Sequence, residues 1–317
     1  MRYNKKAKSR SGGFFMNLIA TAESLQQAEA LLEAGADTLY VGSSPFALRL
    51  PQTLDLSEIG EITELAHRRG KKVTVACNAL MHNRQIEQLA DYLPQLAKIP
   101  VDALTVGDPG VITLLKEEGV RIPFIYDGET LVTSAGQIAF WIKCGAIGAV
   151  AARELTLIEL QAIQAKIDRP VEVLVYGPTC IHQSRRTLLT NYYRYAGLHE
   201  RTDKDRGLYL RDPKHPHSRY PIYQDENGTH IFSSGDLSLI DRLDKLAKSG
   251  LRTWKLDGVL LRGARFVSVV ALFAEASRTI DSGNYDPVLF ARRLQAIQPA
   301  DRPLSTGFYL KNPQDVH

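Results

Sequence analysis

Along the chain, short uninterrupted apolar runs alternate with longer segments whose apolar positions recur every three to four residues. The short runs, at 18–21, 38–41, 72–76, 103–106, 124–126, 148–151, 171–175 and 253–256, predict strands. The periodic segments, at 25–34, 57–69, 86–97, 111–118, 135–143, 157–167, 237–248 and 266–280, predict helices. Helices stop at Gly35, Gly70, Gly119, Gly145 and Gly250 just before the next strand, where a left-handed C-cap favours glycine. The joints EAGADTLYVG (33–42), KCGAIGAVAARE (143–154) and KSGLRTWKLDG (248–258) resemble one another. Repeated strand-helix units with buried strands imply a parallel sheet with right-handed crossovers. Eight of them predict an α/β fold, a closed (β/α)8 TIM-like barrel. An open doubly wound sheet is the alternative, although no Gly-x-Gly-x-x-Gly follows the first strand.

One stretch breaks the rhythm. After the seventh strand a long basic insertion, 177–230, is expected as a loop, and long loops in compact domains are usually functional. It leaves the strand end where barrel active sites sit. The expected organisation is a basic tail over 1–15, a barrel domain over 16–298 including the insertion, and a proline-rich tail over 299–317 after a helix at 287–297. Met16 directly precedes the first strand, so 1–15 reads either as an upstream-start extension or as a flexible arm.

Composition narrows the class. With 44% hydrophobic and 23% charged residues, the chain is neither disordered nor fibrous. No stretch approaches the roughly 18 apolar residues of a membrane span, and the basic N-terminus lacks the apolar region of a signal peptide, so a cytoplasmic location without membrane partners is expected. Cys77, Cys144 and Cys180 are too few and scattered for a disulfide framework, and there is no C-x-x-C pair. The net charge of +4 is unevenly placed. The first ten residues carry five basic groups and no acid, and residues 180–222 hold nine Arg/Lys against four acids, which leaves the rest of the chain acidic. That asymmetry suits a protein that handles a polyanion, or a solvated basic face.

On a barrel the strand ends converge on one mouth. They offer Ser43, Ser44 and Arg49, then Asn78, Asp108, Asp127 with Glu129, Arg153 with Glu154, Cys180 with His182, and Lys255 with Asp257. Arg49, Asn78, Arg153 and Lys255, with Asp108, suit a small anionic ligand, and acids such as Glu154 and Asp257 stand ready for proton transfer. The plainer reading of Arg153–Glu154 and Lys255–Asp257 is rim ion pairs. Cys180 with His182 and Glu154 invites a thiol-peptidase reading, since i and i+2 share a strand face, but no peptidase signature surrounds them. His199, His215 and His217 lack the spacing of a metal site. In the insertion, Arg185, Arg186 and Arg194 lie among Asn191, Tyr192 and Tyr193, with Tyr195, Tyr209 and Tyr220 beyond. Cations for phosphates and rings for unpaired bases are what loop RNA binding requires, whereas a tyrosine-rich loop packed on the rim is the structural alternative.

The runs VEVLVYGPTCIHQSRRTLLTNYY (171–193), DRGLYLRDP (205–213) and GTHIFSSGDLSLIDRLDKLAKSGLRTWKLDG (228–258) resemble the collagenase-like peptidases of unassigned catalytic type, peptidase family U thirty-two. AGAD-x-LYVG, Phe46 with Arg49, the Asp-Pro-Gly at Asp108 and the Ala-Arg-Glu-Leu at Glu154 agree with it. The resemblance implies a barrel and one of several activities: a peptidase, hydroxylation of ubiquinone, or hydroxylation of tRNA wobble uridine at C5 with prephenate. Such members hold an iron–sulfur cluster on four cysteines. Here Cys180 stands at the first position, but Thr187, Tyr209 and Ser238 stand at the others, so no cluster is expected on this chain alone. Tyr176 and Val259 also depart from the family pattern. The variant motif resembles the short, cysteine-poor subunit of a paralogous pair. The resemblance thus implies a subunit of a prephenate-dependent tRNA hydroxylation system, partnered by the anticodon loop and a cluster-bearing paralogue in a heterodimer. A collagenase-like peptidase and a non-catalytic scaffold for that paralogue are the alternatives.

Overall fold

The structure, a computed structural model, describes residues 16–315. The basic segment 1–15 and the last two residues lie outside it. Eight strands are parallel: β1 (Asn17–Thr21), β2 (Thr38–Gly42), β3 (Lys72–Cys77), β4 (Ala103–Val106), β5 (Phe124–Tyr126), β6 (Gly148–Val150), β7 (Val171–Ser184) and, late in the chain, β11 (Thr253–Leu256). Each pairs with the next, β7 pairs with β11, and β11 returns to β1, which closes the barrel. Closure leaves the barrel itself without an edge strand. Six helices alternate with the first strands: α1 (Leu25–Ala34), α2 (Leu56–Arg68), α3 (Asn83–Leu96), α4 (Pro109–Glu117), α5 (Ala135–Lys143) and α6 (Leu157–Gln164).

Local signals explain where these helices begin and stop. The Ser24 hydroxyl accepts from the Gln27 amide at 3.1 Å, and Asp55 and Glu58 form a reciprocal capping box, each such cap contributing about 1 kcal/mol. Gly35 closes α1 at φ +106, and a Cβ there would lie 2.7 Å from Ala274 on the last barrel helix. Glycine is therefore required there both by conformation and by close packing. Apolar strand residues such as Leu39, Val41, Val73, Val75 and Leu104 are wholly buried, and Trp254 of β11 packs among them with its indole N–H donating to Leu251.

The insertion is not the long loop its composition suggested. β7 runs on past the barrel and pairs antiparallel with β10 (Gly228–Ser238), which pairs with β9 (His215–Asp225), which pairs in turn with β8 (Tyr209–Asp212). A short helix, α7 (Leu188–Tyr195), packs on this ribbon through Leu189. Because Leu237 and Ser238 belong to β10, the helix expected over 237–248 shortens to α8 (Leu243–Lys248). The last helices are α9 (Gly263–Asp281) and α10 (Pro287–Ile297), and β12 (Leu304–Ser305) then lies beside β10, pairing Leu304 with Asp236.

Candidate functional site

At the C-terminal ends of the barrel strands, the chain buries an uncommon set of charges. Arg49, just after β2, has φ +50 and forms an ion pair with Glu129, while its other guanidinium nitrogen donates to Gln183 at 2.5 Å. Glu129 also has positive φ, +53, so both partners of this pair sit in strained left-handed backbone. Asn78, ending β3, donates to Asp127 at 2.9 Å and accepts from the Leu48 amide at 3.0 Å. It thereby ties the loop after β2 to the end of β5. Deeper in the barrel, the Lys255 ammonium lies 3.4 Å from the centroid of the Tyr40 ring and 3.5 Å from a Glu172 oxygen. Tyr40 bonds Thr105 at 2.7 Å.

Burial and neighbours shift these groups in opposite directions. Burial raises Asp127, and the Glu129 charge adds to it, against Lys255 and the Asn78 bond. Burial likewise raises Glu172 and Asp257, only partly offset by Lys255 and Arg153. Glu129 moves the other way, because Arg49, Arg153 and Lys255 together outweigh its burial. Burial alone would discharge Lys255, yet Tyr40, Glu172 and Asp127 hold it protonated above its usual value. Carboxyl groups inclined to hold a proton beside fixed cations are what an anion-binding acid–base site requires.

The other residues expected from the sequence divide. Asp108 is taken up structurally, capping α4 through the Gly110 amide at 2.8 Å and holding the Met81 amide at 3.1 Å. Arg153, with Asp127, Glu129, Glu154 and Cys180, lines a small cavity of about 30 Å³, and its guanidinium makes no ion pair or hydrogen bond among the described residues. Glu154 is exposed at the rim of this cavity. Asp257 is buried and accepts from the Val259 amide at 3.0 Å. A cavity of about 680 Å³ opens at the opposite end of the barrel, among the first residues of the strands, where Lys71 is paired with Asp37 at 2.7 Å. The buried charges expected from the sequence gather at the other end.

Cys180 does not pair with His182. Between Phe232, which faces Cys180, and Ile231, which faces His182, the β7–β10 register skips Ile181. This bulge turns His182 to the side of the ribbon opposite Cys180, and His182 is exposed. Alternation along β10 then brings His230, two residues from Phe232, to the Cys180 face. His230 is fully buried, stacks obliquely on Tyr223 at 5.1 Å and bonds Asp225 through Nε2 at 2.9 Å. The sequence reading missed His230 and Asp225 because their approach to Cys180 depends on a bulge about fifty residues away along the chain.

On the arm, Arg185 is occupied, donating to Gln85 at 3.0 Å and to the Glu226 carbonyl. Arg186 and Arg194 are exposed, and their guanidinium groups make no ion pair or hydrogen bond among the described residues. Asn191 is exposed on α7, Tyr192 is 62% and Tyr195 92% exposed, and Tyr193 is half-buried, its ring 5.8 Å from that of Tyr192. Tyr209 lies beneath Arg211 and Arg219. His215 pairs with Asp212, and among the described residues no cluster of His, Cys, Asp or Glu is placed to hold a metal ion. The positions that would complete an iron–sulfur site are Thr187 before α7, Tyr209 on β8 and Ser238 ending β10. One thiol with two aliphatic hydroxyls and a phenol does not fit a cluster that takes four thiolates.

The model of peptidase family U32 matches residues 23–317. The chain belongs to peptidase family U32. Among its relatives, this U32 protein is 35% identical over 301 residues to tRNA hydroxylation protein P2 of Bacillus subtilis, covering 93% of this chain and 97% of that one. It is 25% identical over 306 residues to tRNA hydroxylation protein P1 of the same organism, covering 93% of this chain and 71% of that one. The solved structure of the U32 peptidase Mk0906 aligns over 81% of this chain and 97% of its own at 14% identity, with a TM-score of 0.47.

Proposed function

We propose that this chain is a subunit of a system that hydroxylates the wobble uridine of tRNA at C5, with prephenate as co-substrate. The observation that carries this reading is the near full-length similarity to tRNA hydroxylation protein P2. The geometry supports it at two places. Arg186, Arg194, Asn191, Tyr192 and Tyr193 present cations, an amide and rings on one arm, the combination that grips phosphates and unstacked bases, and Arg185 anchors that arm at its base. Below it, Arg153 lines the cavity at the strand ends, with Arg49 and Asn78 buried beside it and Lys255 deeper in the barrel, and these groups would hold the carboxylates of a small dianion. The partner in this reading is a longer paralogue that would carry the cluster, and this chain matches 71% of the longer relative P1. The chain's own residues would bind and orient the anticodon loop and the dianion, and its buried acids, Asp257 and Asp127, would exchange protons with the bound anion.

Mass spectrometry of tRNA nucleosides from a strain lacking the gene, with and without a plasmid copy, tests the reading. Loss of 5-hydroxyuridine and its derivatives, restored by the plasmid, is the expected result; unchanged nucleosides in a strain without a redundant route refute it. The alternative of a scaffold makes a different forecast for the same assay. A scaffold tolerates Arg153→Gln as long as the complex with the paralogue survives, whereas a ligand-binding subunit loses modification.

A further inference from the structure

Cys180, His230 and Asp225 lie together at the mouth, outside the set of residues proposed above to hold the anion. Cys180 lies half-buried where β7 leaves the barrel and lines the same small cavity as Asp127, Glu129, Arg153 and Glu154. Its thiol lies 3.3 Å from the His182 carbonyl. Behind it, His230 is 0% exposed, its Nε2 occupied by Asp225, and its Nδ1 has no close hydrogen-bond partner while facing the thiol. A fully buried imidazole nitrogen without a close partner costs desolvation energy, and here the group it addresses is a nucleophile. Asp225 fixes the ring orientation, as a base behind a nucleophile requires.

We propose that Cys180, with His230 as its base and Asp225 positioning His230, is a nucleophile that adds reversibly to C6 of the target uracil ring. This rests on the tRNA reading above and names the chemistry this chain would contribute to it. The C5 carbon of uracil is a poor nucleophile until a group adds at C6. In the step, the Cys180 proton passes to His230 Nδ1 and the sulfur–C6 bond forms. The C5–C6 π pair moves to O4 as an enolate, and C5 then takes a proton from water. Reversal removes a C5 proton and expels the thiolate, so nothing is oxidised or reduced and the net result is exchange of the C5 hydrogen with solvent. An activated C5 is the species a hydroxylation at that carbon needs.

The electrostatics agree. Burial, the largest single effect, would raise the thiol, but His230, Arg49 and Arg153 together outweigh it and bring it below its ordinary value. The groups facing the sulfur are then His230 and Tyr223 from the ribbon, Arg49 from the loop after β2, and Arg153, Glu154, Asp127 and Glu129 across the cavity.

The test incubates the full chain, together with its paralogue, with unmodified tRNA in heavy water and reads deuterium at C5 of the wobble uridine by nucleoside mass spectrometry. Expected are exchange with the wild type, none with Cys180→Ala, and a loss of about 100-fold with His230→Gln. Asp225→Asn, a change at a half-exposed carboxylate, gives a smaller loss and covers the case in which the buried His230 variant fails to fold. A second readout is alkylation of Cys180 by iodoacetamide, whose pH profile should lie below that of a free thiol and move upward in Asp225→Asn. Bound tRNA without exchange, or exchange undiminished in Cys180→Ala, overturns the proposal and leaves the tRNA reading standing. Failure to bind tRNA at all defeats both. Peptide hydrolysis that disappears in Cys180→Ala would instead assign the relay to peptidase chemistry.

Discussion

Lys255 is enclosed by Tyr40, Glu172, Asp127 and Asp257, and its worth depends on their ionisation. Lys255→Met leaves buried carboxylates without their counter-charge, a change that costs about 3–5 kcal/mol in comparable sites. The three acids have folded pKa values raised above their usual range, so they add stability at low pH that is lost as pH rises through those values. Removing Lys255 raises them further. The deficit of the variant is therefore greatest near neutral pH and shrinks on acidification, which urea melts at two pH values measure. Glu129 poses the converse case, because its carboxylate occupies Arg49 where an anionic ligand would bind. Glu129→Gln removes the competitor, and calorimetric titration should find prephenate bound several-fold more tightly; weaker binding would mean that Glu129 organises the site rather than occupying it. At this scale the sequence was a fair guide to which residues gather, since barrel topology alone places strand ends together. It was a poor guide to their state. Asp108 was expected among the ligand-binding residues, but the proline-led helix that begins beside it takes up one of its oxygens and the Met81 amide takes up the other.

Elements explain which parts of the chain were legible. The barrel strands are short, apolar and closed by capped helices, so local pattern and burial agree. The strands of the insertion obey no such agreement. β8 and the start of β9 are largely exposed and carry Arg, Pro and His, and it is their pairing with each other, on a ribbon that β10 ties to β7, that makes them strands. α7 is the element whose exposure points outward, and it divides into supporting and presenting faces. Leu189 is buried against the ribbon, whereas Tyr192 and Tyr195 stand clear of it. Tyr192→Ala should leave the melting temperature unchanged and weaken anticodon-loop binding by about 1–3 kcal/mol, the usual value of a base stacked on an aromatic ring. Arg186→Gln and Arg194→Gln should each reduce the salt dependence of binding by about one phosphate contact. Arg185→Gln differs, since it loses bonds to Gln85 and Glu226 and should loosen the arm. Salt-dependent filter binding beside thermal melts separates these roles, and equal effects from all three arginines would contradict the division.

At the scale of the molecule, one buried polar network joins the barrel, the insertion and the chain's last segment. Asp236 of β10 receives Arg302 at 2.5 Å through one nitrogen and at 3.1 Å through another, and it accepts from Gln298 at 2.8 Å. Gln298 in turn accepts from the Tyr176 hydroxyl at 2.6 Å, and Tyr176 belongs to β7 at the point where the strand leaves the barrel. The sequence showed the residues after Ile297 only as proline-rich, because nothing local marks Arg302 as the partner of an aspartate sixty-six positions away. The arrangement fixes the root of the ribbon that carries Cys180 and His230, so its loss should reach the site without touching it. Arg302→Met leaves Asp236 buried and uncompensated, with an expected cost of about 3–5 kcal/mol. Adding Asp236→Asn removes the stranded charge and should recover much of that stability. Recovery of fold without recovery of Cys180 reactivity toward iodoacetamide would show that the ion pair sets the ribbon's position as well as its stability. Additive losses in the double variant would show instead that Asp236 and Arg302 act on the fold independently, and the coupling through Gln298 and Tyr176 would then have to be sought by substituting Gln298 alone.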